Sequence, residues 1–161
     1  LLTAPSLENR DASHFHAPAR PQSAVQPATL ELRIELEHYE IILNQHPGHA
    51  LALSGKSMAA ARMGRFVEAQ ALVEHLHVVA PTHPYTDVTS AVLEAARGQD
   101  QDALRSLRRA VEGRDRLDEE LQVELRRDIA TDPAFLPLRN HWRLRAVLRR
   151  HFAAASPRGT K

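Results

Sequence analysis

The sequence predicts an all-α fold, and three observations support this prediction. Apolar residues recur at helical spacing in successive stretches, and glycine or proline ends most of them. No stretch alternates apolar and polar residues convincingly enough to predict a strand. The middle of the chain also resembles itself at an offset of 34 residues, a period that is typical of stacked helical hairpins.

Length and composition bound the fold and its partners. The 161 residues, 43% of them hydrophobic and 25% charged, are enough for one compact domain. Twenty-one basic and 20 acidic side chains leave a formal charge of +1, so the overall charge indicates neither nucleic acid nor an acidic ligand as partner. The absence of cysteine excludes disulfides, thiolate metal sites and cysteine nucleophiles, and it leaves the redox compartment open.

Residues 1–28 predict an extended arm without regular structure. They contain four prolines and scattered serine, alanine and glutamine, with no apolar periodicity. Because such a segment can order along another protein, its isolated hydrophobic residues Leu7, Phe15 and Val25 are candidate partner contacts. The open alternative is a flexible tether.

The first residue is Leu1 rather than Met, from which we expect an upstream segment that is not part of this chain. A signal peptide and an anchor helix are both open. The compartment therefore stays open between cytoplasm and periplasm, and membrane association through that segment is a further option.

A helical domain is predicted over residues 29–152. Its first helix covers about four turns and ends at Pro47, with apolar residues at helical spacing: Leu30, Ile34 or Leu32, Leu36, Tyr39 and Leu43. Five further helices are predicted in LALSGKSMAAARMG, RFVEAQALVEHLHVVAP, DVTSAVLEAARG, QDQDALRSLRRAVEG and DEELQVELRRDIA. After the turn-rich TDPAFLP, a last helix is predicted from about Leu138 to Phe152, and residues 153–161 predict a flexible tail.

The 34-residue offset relates residues that end and pack a helical hairpin. The pairs are Pro47 with Pro81, Gly64 with Gly98, Ala69 with Ala103, Val73 with Leu107 and Leu76 with Ala110. We expect each glycine to supply the left-handed residue that ends the first helix. The small alanine lets the two helices approach, and the proline stops the second helix.

These residues resemble the tetratricopeptide repeat family in its bacterial form, with about two degenerate repeats. The resemblance rests on the following repeat-packing residues: Leu53, Ser57, Gly64, Phe66, Ala69, Val73, Leu76, Pro81, Ala91, Gly98, Ala103, Leu107 and Ala110. Lys56, Asp87 and Ser90 depart from the family, which prefers large apolar residues there. The segment TDPAFLP and the helix after it resemble the family's closing turn and capping helix.

The resemblance implies a short right-handed solenoid of antiparallel helical hairpins, with the first helix of each hairpin on the concave wall. It implies outward-facing partner contacts on that wall: Ser54, Lys56, Met58, Arg62, Thr89, Val92 and Ala96. It further implies a non-catalytic protein–protein interaction module. Two repeats form only a short groove, so we favour an accessory or assembly subunit of a larger complex. The arm and the helical faces would hold this protein in the complex, and a membrane-associated complex is one option. The alternative is an adaptor or chaperone that binds a short peptide.

The last predicted helix is basic and amphipathic. Its apolar arc consists of Leu144, Val147, Leu148 and Phe152, and outside this arc lie Arg143, Arg145, Arg149 and Arg150. Such a helix can contact phosphates or an anionic membrane surface, which gives a second alternative function. The open structural interpretation is a capping helix whose arginines pair with acidic residues such as Asp115, Asp118 and Glu119.

Neither catalysis nor metal binding is predicted. His75 and His77 are two residues apart and point in opposite directions from a helix, so they cannot chelate one ion together. The sequence contains no nucleophile motif and no phosphate-binding glycine loop. We therefore expect no enzyme, no metal, no cofactor and no small-molecule substrate; other protein subunits are the expected partners.

Overall fold

The computed structural model of this protein describes the backbone of residues 26–152 and the side chains of residues 30–152. Over this range it contains only helices, which confirms the all-α prediction there. The α-helices are α1 (Gln26–Gln45), α2 (Ala50–Arg62), α3 (Phe66–Val79), α4 (Pro84–Ala96), α5 (Asp100–Glu112), α6 (Glu119–Thr131) and α7 (Trp142–Phe152). Short 3-10 helices occur at Arg114–Arg116 and Pro133–Leu138.

The helices pack mainly on their neighbours in the chain. The short turns fold α2 back on α3 and α4 back on α5, which gives two hairpins, and α2 also packs on α4. At one end of this stack α1 lies on α2; at the other, α7 lies on α5. The 3-10 helix Pro133–Leu138 packs against α4. The first and last α-helices of the described chain thus bind opposite ends of the two hairpins.

The two hairpins turn through the same backbone geometry. Gly64 and Gly98 have φ of 75° and 77°, a left-handed conformation that glycine adopts without steric cost. The amide of the residue after each glycine donates to a carbonyl in the last turn of the helix: Arg65 N to Ala60 O at 2.9 Å, and Gln99 N to Glu94 O at 2.8 Å. This is the Schellman motif, so the predicted role of both glycines is confirmed.

The seams of the hairpins are filled by small residues. Ala69 and Ala103 are fully buried, and the Ser57 hydroxyl donates to the Ala69 carbonyl oxygen at 2.9 Å across the first seam. Of the repeat-packing residues, these are buried: Leu53, Ser57, Ala69, Val73, Leu76, Ala91, Ala103, Leu107 and Ala110. Phe66 is half-buried and the guanidinium of Arg97 lies over its ring, while Pro81 is exposed in the turn after α3.

Three helix boundaries differ from the sequence prediction. α1 begins at Gln26 instead of Thr29, so residues 26–28 belong to the helix and not to the arm; Pro27 fits there because the first turn has no amide partner to lose. α4 begins at Pro84, three residues before the predicted Asp87, for the same reason. α7 begins at Trp142 because Pro133–Leu138 forms a 3-10 helix that contains Pro137. The predicted arm contacts Leu7, Phe15 and Val25, and the predicted tail 153–161, lie outside the described residues.

Two histidines cap the first helices of the hairpins. His49 Nδ1 accepts a hydrogen bond from the Ala52 amide at 3.2 Å, and His83 Nδ1 accepts one from the Tyr85 amide at 3.3 Å. The two residues are 34 positions apart, so they belong to the internal repeat, although the sequence pattern was interpreted without them. At His83 the accepting Nδ1 carries no proton, because a protonated ring nitrogen cannot accept the amide hydrogen bond. Burial lowers the pKa of His83.

This cap predicts a loss of stability in mild acid. The unfolded chain binds the His83 proton at a higher pH than the folded chain does, so the free energy of unfolding falls as pH decreases below the ordinary histidine pKa of about 6.5. A His83→Asn chain keeps an acceptor at the cap but cannot titrate, and we expect a shallower decline. Urea unfolding across this pH range measures both slopes, with the exposed His75→Asn as the matched control. Equal slopes for His83→Asn and the original chain would contradict the expectation.

Candidate functional site

Three side chains that were expected to face outward on the concave wall are buried. Ser54 and Thr89 are each 1% exposed, and Val92 is fully buried. The reason is that α2 and α4 pack on each other through this face: the hydroxyls of Ser54 and Thr89 lie 2.7 Å apart and share a hydrogen bond in the seam. The outward placement predicted for these three residues is therefore wrong.

The remaining four concave candidates are half-buried: Lys56, Met58, Arg62 and Ala96. Arg62 Nη2 donates to Asp132 Oδ2 at 2.5 Å, and Asp132 is 6% exposed. Asp132 Oδ1 also accepts from the Ala134 amide at 2.8 Å and so caps the 3-10 helix that follows. A residue of the first hairpin is thereby joined to the closing segment, 70 positions later in the chain. Part of the expected peptide-binding wall is covered by the chain itself.

A second polar contact joins α6 to α4. The Tyr85 hydroxyl donates to Asp128 Oδ2 at 3.1 Å. Burial raises the pKa of Tyr85, and the Asp128 carboxylate adds to this effect, so the hydroxyl keeps its proton at neutral pH. Burial also raises the pKa of Asp128, against the opposing effect of the hydrogen bond from Tyr85. The pair acts as a fixed donor and acceptor, which suits a structural link.

Helix α1 has two apolar stripes on opposite sides. The inner stripe consists of Leu32, Leu36, Tyr39 and Leu43, which are buried or half-buried, and α1 packs on α2 with the Tyr39 ring over Gly55. The outer stripe is exposed: Leu30, Ile34 and Ile41 have exposed fractions of 63%, 59% and 60%. At 100° per residue the three lie within about 40° of one another. A surface helix needs only one apolar face to pack, and no element among residues 30–152 covers the outer stripe.

The outer stripe corrects the sequence interpretation of α1. The sequence pattern puts Leu30, Ile34 or Leu32, and Leu36 in one helical series, whereas in the structure Leu36 is buried, Leu32 is half-buried, and Leu30 and Ile34 are exposed. The sequence contained a signal for this result: Leu30 and Leu32 are two residues apart and cannot share one face of a helix. Ile41 belongs to the same outer stripe and was not singled out.

A cleft of about 210 Å³ lies between α5 and α7. Its apolar lining consists of Leu104, Leu144 and Val147, and its polar lining of Gln101, Arg105, Arg108 and Arg143. Arg143 Nη1 donates to Gln101 Oε1 at 3.1 Å and so bridges the two helices. Of the described residues that line the cleft, three are arginines and none is acidic. Arg105 and Arg108 pair with Asp102 and Glu112 on their own helix, so Arg143 is the rim arginine without an ion pair within residues 30–152.

The basic side chains of α7 are exposed. They are Arg143, Arg145, Arg149 and Arg150, and no ion pair involves any of them within residues 30–152. Two of the three expected acidic partners have other contacts: Asp115 pairs with Arg114 at 3.4 Å, and Asp118 caps α6 by accepting from the Leu121 amide. The pairing suggested for the capping-helix interpretation is therefore absent from the described chain.

The apolar arc of α7 packs as predicted. Leu144 is buried, and Val147, Leu148 and Phe152 are half-buried against the core. Trp142, at the start of the helix, is 69% exposed, and the Arg143 guanidinium lies 5.3 Å from the centre of its ring. An exposed tryptophan beside an arginine is a combination that protein interfaces favour.

Over residues 26–152 no helix is long and apolar enough to cross a membrane. Over the same range, no group of three or more metal-ligating side chains comes together. Comparisons with protein-family models, curated proteins and solved structures find no match for this chain.

Proposed function

We propose that this protein is a non-catalytic protein–protein interaction module, an accessory or assembly subunit of a larger complex. The observation that carries the proposal is the outer stripe of α1, namely Leu30, Ile34 and Ile41. Large aliphatic side chains that lie singly on a surface need no explanation, but three in line on a helix that already buries its other face indicate a docking surface.

The size of the stripe suits a helical or extended segment of a partner. Burying each of these side chains, which are about 60% exposed, contributes roughly 1–2 kcal/mol. Behind the stripe, glycine turns and histidine caps close the helices of the two hairpins. A partner that docks on α1 therefore does not have to order these hairpins, which lowers the entropic cost of binding. A tetratricopeptide-like right-handed solenoid is part of this proposal.

The peptide-adaptor alternative has less support. Ser54, Thr89 and Val92 are buried, and Arg62 is bound to Asp132. An adaptor of this type needs an open concave wall. Of the seven residues expected there, only Lys56, Met58 and Ala96 are partly exposed and outside the Arg62–Asp132 contact. Among residues 30–152, the outer stripe of α1 and the α5–α7 region are open surfaces that combine apolar and charged side chains.

The test compares two double substitutions in the full chain. Ile34→Glu with Ile41→Glu places charges in the outer stripe, and Val67→Glu with Val78→Glu is the matched control on α3, where both valines are exposed. Each protein is cross-linked in extracts of the native source, and the cross-linked residues are identified by mass spectrometry. We expect stoichiometric partners that cross-link near α1, that the control retains and that the stripe variant loses at least tenfold.

Circular dichroism establishes that both variants keep their helices, which is expected because all four positions are exposed. Retention of the same partners by the stripe variant would contradict the proposal. A form that begins at Gln26 separates the contribution of the arm from that of the helices.

A further inference from the structure

The two ends of the helical stack carry opposite charge around apolar surface. On α1 the exposed charged side chains over residues 30–45 are four glutamates and one arginine: Glu31, Arg33, Glu35, Glu37 and Glu40. Glu37 lies within the outer stripe, between Ile34 and Ile41 in the helical register. Glu40 pairs with Lys56 of α2 at 3.8 Å, and Glu31 and Arg33 flank the stripe on its two sides. The outer face of α1 is therefore apolar along its line, with a net negative charge from Glu31 and Glu37 against Arg33.

The α5–α7 cleft has the complementary composition. Leu104, Leu144 and Val147 provide an apolar floor, and Arg105, Arg108 and Arg143 lie at the rim. Exposed pairs with Asp102 and Glu112 offset Arg105 and Arg108, so the net positive charge here comes from Arg143 and the other exposed arginines of α7. Its volume of about 210 Å³ is below the roughly 300–1,000 Å³ of pockets that enclose small molecules, so it suits side chains of a docked segment better than a free ligand.

The dimensions of the two surfaces also match. The outer stripe runs over 11 residue steps from Leu30 to Ile41, which is roughly 16 Å at a rise of 1.5 Å per residue. Helix α7 has 11 residues and is about equally long. A helix laid beside α7 would bring its aliphatic residues over the cleft and its glutamates against the arginines, the arrangement that charge complementarity favours.

We propose that the outer face of α1 in one copy docks into the α5–α7 cleft of a second copy. The inference rests on the proposed function, because it names a second copy of this chain as a partner of the α1 stripe. The contact is heterologous: it joins two different surfaces and leaves one of each free, so copies add head to tail into short chains or rings. An α1–α1 contact would instead bring glutamates together.

Association through this contact is weak and depends on salt. The charged groups are exposed, so ionic strength well above physiological screens their attraction, because the Debye length falls to about 3 Å at 1 M. Trp142 is the single tryptophan of the chain and lies next to Arg143, so its fluorescence reports directly on the cleft end.

The test uses three charge-reversal forms of the full chain in sedimentation velocity at low salt. One carries Glu31→Lys and Glu37→Lys, the second carries Arg105→Glu and Arg143→Glu, and the third carries all four changes. We expect the original chain to associate as its concentration rises, and each double variant to raise the dissociation constant by about tenfold or more. The four-fold variant has the original net charge and restored complementarity, so it regains association and the concentration-dependent change in Trp142 emission.

Three results would overturn the proposal. These are a monomeric original chain at low salt up to hundreds of micromolar, association that neither double variant weakens, and a four-fold variant that stays as weak as the Glu31→Lys, Glu37→Lys form. The matched control is Glu74→Lys with Glu120→Lys, both exposed and away from α1 and the cleft.

Failure of this inference and failure of the proposed function are distinguishable. A monomeric chain whose stripe variant still loses its cross-linked partners rejects self-docking and keeps the interaction module. A monomeric chain that binds vesicles containing phosphatidylglycerol, with loss of binding in the Arg105→Glu, Arg143→Glu form, assigns the basic region to a membrane surface instead.

Discussion

Replacing Phe135 by alanine is expected to lower the free energy of unfolding by about 3–5 kcal/mol. Phe135 is fully buried in the 3-10 helix Pro133–Leu138, which packs against α4. Its removal leaves a cavity under the closing segment, and the backbone cannot collapse into it because Asp132 holds the segment to Arg62. Urea unfolding followed by circular dichroism measures the change.

The neighbouring residue supplies the control for this prediction. Leu136 is 55% exposed in the same 3-10 helix, so Leu136→Ala is expected to cost less than about 1 kcal/mol. The Trp142 emission of the Phe135→Ala chain should also shift towards that of the unfolded chain at lower urea. Similar losses of stability in both variants would show that the closing segment is not anchored through Phe135.

Replacing Gly55 by valine is expected to separate α1 from α2. A Cβ atom at residue 55 would lie 2.2 Å from Cζ of Tyr39 and 2.6 Å from Cε1 and Cε2, all far below van der Waals contact. The Tyr39 ring must leave its position, and because it belongs to the inner stripe, α1 loses part of its contact with α2. Overpacking of this kind costs about 1–3 kcal/mol, and here the cost falls on one helix.

Amide hydrogen exchange distinguishes this local effect from global destabilisation. We expect the α1 amides of Gly55→Val to exchange at least tenfold faster, with much smaller changes in α4 and α5. Gly48→Val is the control, because a Cβ at Gly48 meets no atom within 4 Å. Uniform acceleration over all helices, or none in α1, would contradict the expected role of the Tyr39–Gly55 contact.

The local features of the fold were predictable because they depend on neighbours in the sequence. Gly64 and Gly98 end their helices through hydrogen bonds that span five residues, so their spacing alone indicated the hairpins. The candidate surfaces were predicted less well. The resemblance to tetratricopeptide repeats implied that Ser54 and Thr89 face outward, yet their hydroxyls lie 2.7 Å apart between α2 and α4.

The all-α class, the approximate helix limits and the repeated turns could be predicted from the sequence, since helical periodicity, glycine and proline act within a few residues. Which of the two apolar stripes on α1 faces the core, and the contact of Arg62 with Asp132 across 70 positions, follow only from the packing of the helices. Such contacts depend on how helices stack in space. The two stripes of α1 have similar aliphatic side chains, so their composition does not decide which one faces the core. The fit of Tyr39 over Gly55 of the neighbouring helix selects the inner stripe.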